Sequence, residues 1–162
     1  MTQLVNTEVL LSSRHRFIKR ASSVTGLSPK EITRFLKFAI VGAIGMLVDL
    51  AVLTFGREVM GLPLSLAVGL GFSVAVISNF TWNRLWTFPE SRKFKKRSQL
   101  PKFFIVNLIG LIINQVVLAV ALVFLEPIVP HPWDYNLAKA IAICIVLFWN
   151  FGVNRLWTYR GI

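Results

Sequence analysis

The chain has 162 residues, 55% of them hydrophobic and 15% charged, with a mean hydropathy of +0.65. A water-soluble domain of this length could not hide so much apolar surface, so its long uncharged runs read as bilayer-spanning helices. Lys and Arg outnumber Asp and Glu by 18 to 7, a net charge of +11; these cations flank the apolar runs, which points to anionic lipid headgroups as partners and away from nucleic acid.

Residues 1–27 are polar and basic without a clear period, and are expected to form a cytoplasmic tail, flexible or lying on the membrane surface. Their apolar stretch Val9-Leu10-Leu11 is too short for a signal peptide, and the basic cluster follows it instead of preceding it. Ser28-Pro29-Lys30-Glu31 is a helix start: Ser28 can cap, Pro29 suits the first helical position and Glu31 can close a capping box. Four spans follow, each of about 20 residues, the length that crosses roughly 30 Å of hydrocarbon. They are expected at 35–55, at 62–80 with a helical continuation toward Trp86, at 103–125, and at 137–151 with a continuation toward Trp157. Cys144, the single cysteine, lies in the fourth span, so no internal disulfide can form.

Basic residues orient these spans. They crowd the segment from Arg14 to Lys37, the middle loop from Arg84 to Lys102, and the end at Arg155 and Arg160. The loop after the first span has only Arg57, offset by Glu58, and the loop after the third has Glu126 and Asp134 but no cation before Lys139. The positive-inside rule then places both termini and the middle loop in the cytoplasm of a multi-pass cell-membrane protein.

A phrase recurs at the ends of the second and fourth spans. Asn79-Phe80-Thr81-Trp82-Asn83-Arg84-Leu85-Trp86-Thr87-Phe88 returns 71 residues later as Asn150-Phe151-Gly152-Val153-Asn154-Arg155-Leu156-Trp157-Thr158-Tyr159. Lys37-Phe38-Ala39-Ile40-Val41 likewise meets Lys102-Phe103-Phe104-Ile105-Val106 at an offset of 65, which brings Gly45 onto Gly110 and Asp49 onto Asn114. The expected fold is therefore all-α, four transmembrane helices in two parallel two-helix repeats. Repeat one is 28–88, the basic loop 89–101 and repeat two 102–160. Parallel repeats are related by an axis along the membrane normal.

Polar residues inside apolar spans need partners. Asn79, Asn83 and Trp86 fall at i, i+4 and i+7, one stripe at the cytoplasmic end of the second helix, and Asn150, Asn154 and Trp157 repeat it on the fourth. Arg84 and Arg155 point about 100° away from the neighbouring Asn, at headgroup level. An aromatic belt with snorkelling Arg accounts for the Trp and Arg; it accounts poorly for two Asn per copy, for which phosphate and headgroup binding is the functional alternative. Gly42, Gly45 and Asp49 share a face, as do Asn107, Gly110 and Asn114. Asp49 lies about 18 Å along its helix from Lys37, well inside the bilayer. Lys139, near the outer end of the fourth helix, could reach down to it or snorkel outward to Glu126 or Asp134; an Asp49–Lys139 ion pair that merely locks two helices is the plain structural reading. Ser65-Gly69-Ser73 and Ala67-Gly71-Ala75 have the small-xxx-small spacing of close helix packing. There is no Walker phosphate loop, and His15 and His131 are far apart, so neither nucleotide hydrolysis nor a metal or other cofactor is expected. No paired carboxylates or Ser/His/Asp set suggests an enzyme.

Arg34-Phe35-Leu36-Lys37-Phe38-Ala39-Ile40-Val41-Gly42, the phrase at 79–88 and the stretch from Ala138-Lys139 through Asn154-Arg155 resemble the GtrA-like family of four-helix membrane proteins over about residues 34–160. The resemblance implies a role in cell-surface polysaccharide synthesis, moving polyprenyl-phosphate-linked sugars between leaflets alongside membrane glycosyltransferases. It carries Asn79, Asn83, Arg84, Trp86, Lys139, Asn150, Asn154, Arg155 and Trp157 over as head-binding residues. Asp49, Asn114 and Gln115 are expected to give the sugar partners part-way. The alternatives are a non-transporting anchor for a polyprenyl-phosphate glycosyltransferase, docking through 92–97, and a small proton-coupled exporter using Asp49. A thin four-helix bundle also suits a homo-oligomer.

Overall fold

The computed structural model describes residues 16, 18–23 and 26–161, and all the regular structure among them is helical. Among the described residues, four helices are long and apolar enough to cross a membrane: α1 (Pro29–Glu58), α2 (Leu64–Trp82), α3 (Lys96–Leu125) and α4 (Trp133–Val153). Residues 18–23 of the tail, expected to lack a period, are helical; the rest of the tail before residue 26, apart from Arg16, lies outside the described residues.

Helix α1 begins where the cap expects. Ser28 Oγ accepts the Glu31 N–H at 3.3 Å, with Pro29 at the first position. The capping box stays half-formed, because the Glu31 carboxylate turns to Arg34 and Arg155 instead. At 30 residues, α1 and α3 outrun the expected spans; each is about 45 Å long at 1.5 Å per residue. Each exceeds the roughly 30 Å of hydrocarbon that a span must cross. Helix α3 starts inside the segment expected as loop, and carries Pro101 within it. Proline removes one N–H there, a small loss where water reaches the freed carbonyl. Helix α4 starts earlier than expected, at Trp133. Asn136 Nδ2 donates back to the Pro132 carbonyl at 2.9 Å, and Asp134 in the first turn suits the helix dipole.

Beyond α2 and α4, the continuation toward each Trp is helical but widened. Asn83–Thr87 and Asn154–Thr158, both reading Asn-Arg-Leu-Trp-Thr, are π-turns. The N–H of Phe88 closes on Asn83 O at 2.7 Å, and that of Tyr159 on Asn154 O at 2.8 Å. Closing over five residues instead of four turns the first and sixth residue inward together. Accordingly Asn83, Phe88, Asn154 and Tyr159 are all buried. After the first π-turn, Pro89–Lys93 forms a 3-10 turn that folds back beneath the helices.

The helices pair as two hairpins. Helix α1 packs along α2 and α3 along α4, while α2–α3 and α1–α4 touch only sparsely. Small residues allow the close approach. Of the two small-residue stripes on α2, the one in use is Ala67-Gly71-Ala75, buried against α1; Ala138 and Ala142 fill the corresponding places on α4. Positions that align in the sequence make matching contacts. Lys37 sits over the Trp86 ring and Lys102 over that of Trp157. Gly45 faces the Asn79 amide, and Gly110 that of Asn150.

At the end carrying both described termini, hereafter the basic end, an aromatic cluster joins the hairpins. Phe88 stacks on Tyr159 at 4.5 Å, Phe38 meets Phe151 edge-on at 5.7 Å, and Phe80 meets Phe103 at 5.6 Å. Each such pair contributes about 0.5–1.5 kcal/mol beyond its buried area.

Candidate functional site

A cavity of about 360 Å³ lies between the hairpins, and all four helices line it. Its polar wall is made of carboxamides: Asn79 and Asn83 from the α2 end, Asn107 and Asn114 from α3, and Asn150 from α4. Phe38 and Phe103 bound it toward the aromatic cluster, and the exposed Met46 and Ile143 mark its rim between α1 and α4. The glycines make room for the amides. A Cβ at Gly45 would collide with the Asn79 amide, and one at Gly110 would stand 2.7 Å from Asn150 Oδ1. Asn79 Oδ1, Asn83 Oδ1 and Asn150 Oδ1 are buried without a hydrogen-bond partner. Each unpartnered buried oxygen costs about 1–3 kcal/mol. A carboxamide both donates and accepts without carrying charge, so this wall matches a hydroxyl-rich ligand.

The second polar region is the basic end. Glu31 accepts from Arg34 at 2.6 Å and from Arg155 at 3.1 Å, and Glu90 receives Lys30 at 2.9 Å and Arg34 at 3.1 Å. The Lys30 ammonium, then the backbone N–H of Glu90 itself and, more weakly, Arg34 hold the Glu90 carboxyl down at about 2. Burial pushes the Tyr159 phenol well above its usual range, against an opposing pull from Arg84, so it stays protonated.

The expected residues divide between these regions. Asn79, Asn83, Asn114 and Asn150 come together in the cavity. Asn154 does not: it is fully buried, donates to Asn150 O at 2.8 Å and accepts from Thr158 Oγ1 at 2.8 Å. Arg84 does not turn outward. It is buried, and its guanidinium donates to Gln99 and to the carbonyls of Ser91, Arg92 and Phe94. The chain folds back under the π-turn and supplies those acceptors, so Arg84 holds the loop together and does not face a lipid phosphate. Arg155 is partly exposed, with Nε on Glu31. Trp86 and Trp157 are partly exposed beneath Lys37 and Lys102.

Asp49 and Gln115 of the expected polar path, and Lys139 of the expected head-binding set, stand outside the cavity. Asp49 lies against Gly71 on α2, where a Cβ would meet its Oδ1 at 2.5 Å and its backbone oxygen at 2.9 Å. No ion pair joins Asp49 to Lys139 among the described residues. Gln115, one residue and about 100° beyond Asn114, is exposed on the outer side of α3. Lys139 is half-buried one helical turn beyond Ile143 on the same face of α4, just past the rim. The wall residue given no role from sequence is Asn107; its signal was its place on the face of Gly110 and Asn114, where the first copy has Gly42.

Residues 37–159 match the family model described as the GtrA/DPMS transmembrane domain. A dolichol-phosphate mannosyltransferase of Pyrococcus furiosus is 33% identical to the chain over 125 residues, which cover 77% of this chain and 33% of that protein. The chain thus spans about a third of the length of this relative.

Proposed function

Because this chain belongs to the GtrA/DPMS transmembrane-domain family, we propose that it moves a polyprenyl-phosphate-linked sugar across the cell membrane, for surface polysaccharide synthesis or glycosylation. The observation that carries this reading is the asparagine-walled cavity between two loosely joined hairpins. The polyprenyl chain stays in lipid, which its hydrocarbon prefers. The sugar passes through the cavity, where Asn79, Asn107, Asn114 and Asn150 exchange hydrogen bonds with its hydroxyls in place of water. A neutral wall suits this task, because fixed charges in hydrocarbon would hold the head too tightly or cost too much. At about 360 Å³ the cavity lies in the usual range for small-molecule sites. Basic residues draw the phosphate to the basic end, which this reading takes as the cytoplasmic side, and Lys139 meets it past the rim. No motif for ATP hydrolysis accompanies these residues, so the step runs downhill or with an ion. The chain itself performs no glycosyl transfer.

Purified protein in liposomes tests this reading: it should scramble a fluorescent polyprenyl-phosphate hexose between leaflets. Movement no faster than in protein-free liposomes would end it.

One observation favours a second reading. In the relative, the matching segment is a third of a protein named as a transferase, so this chain could serve as a separate membrane anchor for such an enzyme, docking through 92–97. Neutralising those cations should then abolish the complex, whereas the translocation reading expects flipping to survive.

A further inference from the structure

A cavity of about 430 Å³ opens at the basic end, and the tail forms one of its walls: Ile18 and Lys19 face Lys30, Thr33, Lys37 and Thr87 across it. Among its lining residues four cations, counting Arg34, stand against one carboxylate, Glu90. Thr87 is 2% exposed, and its Oγ1 has no hydrogen-bond partner. Its counterpart Thr158 donates to Asn154 Oδ1 at 2.8 Å, so the first hairpin leaves unengaged a hydroxyl that the second one uses. A second space of about 430 Å³ runs along the lipid-facing side of the same hairpin, lined by Ile40, Val41, Ile44, Trp82, Leu85 and Trp86. The two spaces adjoin at one contact. Lys37 lines the first and Trp86 the second; Lys37 Nζ donates to Trp86 O at 3.2 Å and sits 5.3 Å over its ring. Ile40, Val41 and Ile44 continue the Lys37 face of α1 over the next two turns.

We propose that this pair of spaces is a docking site for a lipid with a phosphate head and a single long hydrocarbon chain, the head among Lys19, Lys30, Lys37 and Thr87, the chain along the Trp82–Trp86 groove. Three ammonium groups and a hydroxyl line the head space, Lys30 resting on Glu90 and Lys37 on the Trp86 carbonyl until an anion draws them, while the adjoining groove offers only apolar and aromatic surface. The tail gains a role, since Lys19 closes the head site. The site lies on one hairpin only: the second has Val153 where the first has Trp82, and no segment corresponding to the tail precedes it. This inference rests on the translocation reading for its physiological ligand and names where that lipid docks before the head enters the asparagine cavity.

Binding is tested apart from transport. The full chain in phosphatidylcholine nanodiscs is titrated with farnesyl phosphate, farnesol and inorganic phosphate, read by native mass spectrometry. Farnesyl phosphate should bind at least tenfold more tightly than either fragment, since the site needs both head and chain. Replacing Lys19, Lys30 and Lys37 with Gln should weaken it tenfold or more, as should Ile44→Trp, which fills the groove without touching charge. Lys102→Gln, the matched change on the second hairpin, should alter it less than twofold. Farnesol binding as well as farnesyl phosphate, or Lys102→Gln weakening binding as much as Lys37→Gln, overturns the site. Should farnesyl phosphate bind as described while liposomes show no flipping, translocation fails and the docking site stands. Should flipping occur while the triple variant binds normally, the reverse holds.

Discussion

At the scale of single residues, glycines and one arginine decide what the polar groups can do. Gly45 and Gly71 both lie in the α1–α2 hairpin, but an added methyl meets different neighbours. At Gly45 it meets the end of the Asn79 side chain, which can swing aside; at Gly71 it meets the backbone of Asp49, which cannot. Gly71→Ala should therefore cost about 1–3 kcal/mol of stability in a denaturant titration. Gly45→Ala should cost less, yet slow flipping, because it displaces an amide from the cavity wall. Arg84 is the converse case, a charged residue with a folding role. Lysine gathers its donors at one point and cannot reach four acceptors spread over Ser91, Arg92, Phe94 and Gln99. Arg84→Lys should lose about 2 kcal/mol and expose 89–94 to limited proteolysis. Helical spacing turned Arg84 outward to headgroups, but it carries no information on a loop that folds back beneath the helix and buries that side chain.

At the scale of elements, the four spans were legible because hydropathy over about 20 residues is a strong signal. The Ser28 cap was legible because its chemistry is local. The π-turns were not: Asn-Arg-Leu-Trp-Thr looks like ordinary helix until the inward pull of Phe88 and Tyr159 widens the turn. Nor was the early start of α3, where Pro101 argues against helix in the residues before it and the partner Arg84 lies 15 residues away from Gln99. The start of α1 is tied to the turn at Pro89–Lys93 through Glu90, which gives the basic end a pH dependence with a definite sign. Glu90 has its pKa lowered on folding from the usual 4.5 to about 2, so its ion pairs stabilise fully above the unfolded value and are lost as pH falls toward about 2. The difference in thermal stability between the wild type and Glu90→Gln should thus be constant above about pH 5 and vanish near pH 2. A difference that persists at pH 2 would mean that the carboxylate is not what ties these elements.

At the scale of the molecule, the chain is two tight hairpins joined by an aromatic cluster at one end and by little else, with carboxamides facing each other across the gap. The matched phrases of the sequence placed Asn79 and Asn150 at equivalent helix ends, but only packing could say which polar residues share a space. Asn114 turns into the gap, whereas Asp49, aligned with it, is taken up against Gly71, and Lys139 stops one turn outside. On the translocation reading, the loose seam lets a polar head pass while lipid borders its path. The most direct test is flipping of a fluorescent polyprenyl-phosphate hexose in liposomes by the wild type and by the Asn79→Leu/Asn150→Leu double variant, with folding of both checked by circular dichroism. Leucine keeps the branched heavy-atom shape and removes the hydrogen bonds, so the folded double variant should flip at least tenfold more slowly than the wild type; equal rates would contradict a sugar path through the asparagine cavity.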